Sequence, residues 1–226
     1  MRFWRNNTIW FDEIPGQLFR QINLKEETIS QAALIDIEYL ILWHYKQSMS
    51  GPLADLPKIL TYLELNSSNI TNFIGLEKLT ELKRLELHYC TKLESDIGLS
   101  ALGDTLEHLH INHSKKFALS KELLSLKNLR VLCLNCCGDL ENLNFLSELP
   151  NLIDFRFVDT NVKDGDLTPI LKHPSIRSVS FLNKRHFNIS ESNMKCSLEE
   201  KNVNVNYRTI VFKKGNGAYF TYRYNY

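Results

Sequence analysis

Leu129-Arg130-Val131-Leu132-Cys133-Leu134-Asn135-Cys136-Cys137 places leucine at positions one, four and six of a nine-residue frame. The same frame reads Leu82-Lys83-Arg84-Leu85-Glu86-Leu87-His88-Tyr89-Cys90 and Leu106-Glu107-His108-Leu109-His110-Ile111-Asn112-His113-Ser114. Side chains of an extended chain leave alternately on opposite faces, so Leu132 and Leu134 share one face and Val131, Cys133 and Asn135 the other. Working outward, the frame recurs at Leu60, Leu63, Leu65; at Leu152, Phe155, Phe157; at Ile176, Val179, Phe181; and in a weaker first copy at Ile37, Leu40, Leu42. Successive copies start 22 to 24 residues apart. A unit of that length cannot bury its apolar face alone, and stacking copies side by side in parallel is what buries it.

The ninth positions read Tyr45, Ser68, Cys90, Ser114, Cys137, Thr160 and Lys184, and the five interior ones are small hydrogen-bonding residues. Frame and ninth position together resemble the leucine-rich repeat family over residues 37–190. The resemblance implies an α/β solenoid: a leucine-rich repeat arc with a concave parallel β-sheet. The short period leaves room only for 3-10 or irregular convex segments, anchored by residues such as Phe73, Leu76, Leu79, Leu146, Leu149, Ile170 and Leu171.

A stacked array exposes apolar surface at each end, so both ends need caps. Residues 1–36, with Trp4, Trp10, Phe11 and a helix-like run from Glu26 to Leu34, are the expected N-terminal cap. Residues 191–226 are expected to cap the last repeat, and within them the segments 207–212 and 218–226 flank Lys213-Lys214-Gly215-Asn216-Gly217 as a β-hairpin.

With 27 basic against 26 acidic residues and 43% hydrophobic residues, neither a disordered chain nor a bulk-charge nucleic-acid binder fits. The longest apolar run, about Tyr39 to Trp43, is far too short for a membrane span. The N-terminal segment reaches Asp12, Glu13 and Pro15 where a secretory leader needs an apolar core, so a cytoplasmic location is expected. Five cysteines, an odd number matching no disulfide framework, agree with that compartment. Sequons at Asn6, Asn66, Asn69, Asn112 and Asn188 point the same way, since secretion in a eukaryote would invite glycans across the molecule. Residues 201–226 carry five basic residues and no acid, leaving the preceding part with an acidic excess; the basic, Tyr-rich hairpin is read as a cap, and nucleic-acid contact as improbable.

Outward strand positions form the expected working surface: Tyr39, Tyr62, Glu64, Arg84, Glu86, His88, His108, His110, Asn112, Cys133, Asn135 and Arg156 are the expected partner contacts. Aromatic, arginine and mixed polar groups suit recognition of a protein surface better than a phosphate backbone. His88, His108, His110 and His113 with Cys133 and Cys136 have the ligand chemistry of zinc, but no local ligand spacing supports it, and a polar recognition patch is the preferred reading, with no metal or other cofactor. A Cys133–His110 nucleophile lacks an evident oxyanion hole, so no catalytic residues are expected.

The expected function is a noncatalytic protein-binding module. The resemblance is strongest to short cytoplasmic bacterial leucine-rich repeat proteins, some of which are immunity proteins that bind and inhibit a cognate toxin. The alternatives are a host-directed effector or adaptor that recruits a protein, or a zinc or cysteine hydrolase at the His/Cys cluster.

Overall fold

The computed structural model describes residues 3–5, 7–29, 31–46, 56–205, 207–214 and 217–224. Asn6 of the first sequon and Gly215 and Asn216 of the terminal turn lie outside them. Two short antiparallel strands, β1 (Trp4–Arg5) and β2 (Thr8–Ile9), open the chain. The repeats follow as β3 (Phe19–Asn23), β4 (Tyr39–Trp43), β5 (Tyr62–Asn66), β6 (Arg84–His88), β7 (His108–Asn112), β8 (Val131–Asn135), β9 (Asp154–Arg156) and β10 (Ser178–Ser180). These eight form one parallel sheet in sequence order. The register aligns the leucine frame copy on copy: Leu63 pairs with Leu85, Leu85 with Leu109 and Leu109 with Leu132.

Convex returns are 3-10 turns at Leu76–Lys78, Leu99–Leu102, Leu123–Ser125 and Asn144–Glu148, and one short helix α1 (Thr168–Lys172). The fold is the expected leucine-rich repeat solenoid. Its core runs unbroken from Ile22 to Leu198. Towards the end, rings replace leucines, and Phe157 and Phe181 stack with centroids 5.1 Å apart.

Each ninth-position hydroxyl or thiol staples its repeat to the one before. Ser114 Oγ donates to the Cys90 carbonyl at 3.1 Å; Thr160 Oγ1 donates to the Leu134 carbonyl at 2.6 Å and accepts from the Cys137 amide at 2.9 Å. The residue just before adopts a left-handed conformation in the first six of the seven copies: His44, Ser67, Tyr89, His113, Cys136 and Asp159 have φ between 48° and 60°. This kink aims the amide of Tyr89 at the Asn112 carbonyl (2.9 Å) and that of Cys136 at the Val158 carbonyl (2.8 Å). The hydrogen bonds offset a backbone cost on the order of 1 kcal/mol per residue.

Three features depart from the sequence reading. β3 adds a strand ahead of the first expected copy; Gln17 and Arg20 stand where the frame wants leucine and only Ile22 fits, so no pattern marked it. The segment around Glu26–Leu34 is helical only as a 3-10 turn at Gln31–Leu34. The last repeat is closed by α2 (Glu191–Asn202), capped by Ser190 and burying Met194 and Leu198. The terminal strands β11 (Tyr207–Lys214) and β12 (Gly217–Tyr224) pair antiparallel, and β12 lies against β1 and β2.

Candidate functional site

Outward side chains on neighbouring strands stand about 4.8 Å apart, so a large residue on one strand shapes what its neighbours can reach. At the N-terminal end the concave face is covered by the chain itself. Trp4 and Ile14 join Tyr39, Ile41 and Tyr62 in a buried cluster, with Phe3, Phe11 and Trp43 against it. Phe3 and Trp4 each meet the Tyr39 ring edge-on at 5.9 Å, and Phe11 meets Tyr62 at 5.7 Å. Arg84 Nη2 donates to the Asn7 carbonyl at 3.2 Å. Tyr39, Tyr62 and Arg84, expected to touch a partner, are therefore buried, at 1%, 0% and 2% exposure.

The first outward position is closed on every strand from β4 to β10, since His108, Val131, Asp154 and Ser178 are buried too, and so are Glu86 and Cys133, two residues further along β6 and β8. Of the expected contacts, Tyr39, Tyr62, Arg84, Glu86, His108 and Cys133 are thus below the surface. Glu64, His88, His110, Asn112, Asn135 and Arg156 are half-buried and face solvent in part. They line a ledge that runs from the middle of the strands, at Glu64, His110 and Arg156, to their C-terminal ends, at His88, Asn112 and Asn135. Val158, Ser180 and the exposed Leu182 continue it. The left-handed kinks add Tyr89 and His113, whose rings stack at 4.5 Å. Sequence reading missed Tyr89, because nothing in an amino-acid string marks the eighth frame position as the one turned outward.

Below the ledge lies a charge hub. Glu86 Oε1 accepts from Arg84 Nε at 2.6 Å and pairs with Nη2 at 2.5 Å. Its Oε2 faces His88 Nε2 at 3.0 Å and His110 Nδ1 at 3.5 Å. Burial by itself would raise the Glu86 carboxyl, but the Arg84 guanidinium and hydrogen bonds to His110 and His88 hold it well below the usual carboxylate range. Burial lowers the His88 imidazole, and the Glu86 carboxylate more than reverses this, leaving it raised. Two amides brace the rings: Asn112 Nδ2 lies 3.4 Å from His88 Nδ1, and Asn135 Nδ2 lies 3.2 Å from His110 Nε2. Asn135 is itself oriented, its Oδ1 accepting from the Val158 amide at 3.0 Å. Elsewhere on the face, Tyr62 donates its hydroxyl to Glu64, and Arg156 forks over the buried Asp154 with three contacts of 3.2 Å.

Burial pushes Cys133 far up from its ordinary value and Cys137 up to about 12, so the reactive thiolate is scarce near neutrality. Cys90 is pushed by burial up to about 11. Along the opposite margin, where strands begin, a polar groove is lined by Lys83, Arg130 and Arg177 together with Asp104 and Glu107, charges of both signs.

No protein-family model matches this chain, and no curated protein matches its sequence. Among solved structures it is similar to an internalin from Listeria monocytogenes str. 4b F2365, with 16% identity and a TM-score of 0.32. The match covers 71% of this chain and 62% of the internalin. The fold assignment rests on strand register and core, which need no relative. No helix among the described residues is long and apolar enough to cross a membrane.

Proposed function

We propose that this chain is a noncatalytic protein-binding module, and that it works as a cytoplasmic immunity protein that binds and inhibits a cognate bacterial toxin. The observation that carries the binding reading is the ledge. Half-exposed His88, His110, Asn112, Asn135 and Arg156, with Tyr89 and Leu182 beside them, stand on eight hydrogen-bonded parallel strands. Groups held this rigidly lose little freedom when a partner docks, which favours tight and selective association. Tyr89, 53% exposed, and Arg156 are the anchor types that dominate binding energy. Inhibition follows when the bound face of the toxin includes its own site.

Affinity capture with the tagged chain from the cells that make it, beside a Val158→Arg/Ser180→Arg variant, tests the reading. The partner is expected to bind the variant at least about tenfold more weakly. Expressed alone it should arrest growth, and co-expression of the wild-type chain should relieve the arrest. Equal capture by both proteins removes the ledge from the interface, and a partner without toxicity removes the immunity role.

A further inference from the structure

Glu86 and His88 lie two residues apart on β6 and so leave the same face of the sheet, while His110 is the register partner of Glu86 on β7. Three donor atoms meet there, one from each of Glu86, His88 and His110, all within 4.8 Å of one another. Bond lengths near 2.0–2.2 Å place two ligands of a tetrahedral zinc ion about 3.3 Å apart. The 3.0 Å and 3.5 Å separations from Oε2 to the two imidazoles already match that edge. A modest rotation of the imidazoles, whose side chains are 19% and 20% exposed, closes the third.

The surroundings sort the two carboxylate oxygens. Arg84, itself buried, occupies Oε1 and fixes the plane of the carboxylate, so Oε2 is left to the histidines. Both ring nitrogens facing it carry the proton when Asn112 and Asn135 donate to the far side of each ring. Two N–H groups thus converge on one oxygen, and a divalent cation is the group that replaces two convergent protons. We propose that Glu86, His88 and His110 form a binding site for one divalent transition-metal ion, zinc foremost, with its fourth position open on the ledge.

Binding moves each ring proton to its far nitrogen, so both amides must turn their oxygens inward. Asn112 does this by exchanging roles with His113 Nδ1, 2.8 Å from its Oδ1. Asn135 gives up its bond from the Val158 amide. Loss of an outer-shell partner costs a metal site about 10- to 100-fold in affinity, so a site whose outer groups must rearrange binds more weakly than one already arranged for the ion. The open fourth position takes water, or a carboxylate or imidazole from a docked protein. The inference stands whether or not the partner is a toxin.

The test is calorimetric titration of ZnCl2 into the full, metal-stripped chain carrying Cys136→Ser and Cys196→Ser, which removes the two most accessible thiols. The expected result is one ion per chain, with affinity at least about tenfold weaker in His88→Ala and in His110→Ala, and unchanged in His186→Ala. Circular dichroism of each variant establishes that it is folded. Affinity should fall from pH 7.5 to pH 6, because the ligands must be deprotonated. No binding tighter than about 100 µM in the parent chain, or an affinity in the histidine variants equal to the parent's, overturns the site.

Discussion

His173 shows how one side chain is tied to the repeat. Its Nδ1 accepts from the amides of Ser175 and Ile176, each at 3.2 Å, while Nε2 faces the Leu149 carbonyl at 3.1 Å. Only the neutral ring with its proton on Nε2 satisfies all three. Burial lowers its affinity for a proton first of all, and the nearby Lys201 and Arg177 lower it further, against the pull of the backbone carbonyls. The unfolded chain titrates normally near 6.5, whereas the folded chain resists protonation. Stability from this group is therefore complete above that pH and is lost as pH falls towards the depressed native value. In an NMR titration the His173 ring should titrate below 6.5; titration at or above 6.5 would refute the arrangement. The thiols and hydroxyls of the ninth positions follow the same logic, each small enough to be buried and each bonded to backbone of the repeat before it: Cys90, Ser114, Cys137 and Thr160 donate to a carbonyl there, and Ser68 accepts from the Tyr45 amide.

Among the elements, the returns decide how closely repeats stack. Gly98 begins the 3-10 turn at Leu99–Leu102 with φ 92°, and a Cβ there would sit 2.6 Å from the Ile74 amide nitrogen. Neither the backbone angle nor the neighbouring return tolerates a side chain. Gly98→Ala should cost at least about 2 kcal/mol in urea unfolding at unchanged slope. A loss below about 0.5 kcal/mol would mean that the returns move apart freely. Strands and returns of this kind were legible in the sequence because the repeat fixes them. β3 and α2 were not: β3 has a single frame residue, Ile22, and in α2 only Met194 and Leu198 are buried, too few for a helical stripe to emerge.

At the scale of the molecule, the N-terminal segment and the concave sheet are one structure. Residues 3–18 cover Tyr39 and Tyr62 with Phe3, Trp4, Phe11 and Ile14 and hold Arg84 through Asn7. Removal of residues 1–18 should lower Tm by on the order of 10 °C, given about 2–4 °C per kcal/mol for a chain of this size. The bared aromatic face should also bind a hydrophobic dye. An unchanged Tm with no dye binding would show that the segment contributes nothing to the fold. The consequence for function is geometric, because the segment takes Tyr39 and Tyr62 out of the accessible surface and leaves the ledge.

The amino-acid sequence by itself determined the repeat length, the parallel sheet, its register and the buried face, because period-two alternation and a 22- to 24-residue spacing admit one way of burying the leucines. It also identified the outward columns, whose composition contained every ligand of the charge hub. Only the tertiary structure decided which outward residues meet solvent. Tyr39, Tyr62 and Arg84 read as surface until a segment more than thirty residues away in Tyr39's case, and 77 in the case of Arg84 and Asn7, folds over them. Likewise Glu86 reads as one carboxylate among many until register places His110 opposite and Arg84 seals its other oxygen. Local pattern specifies each strand, but coverage and convergence are contacts between distant parts of the chain, and no local pattern encodes them.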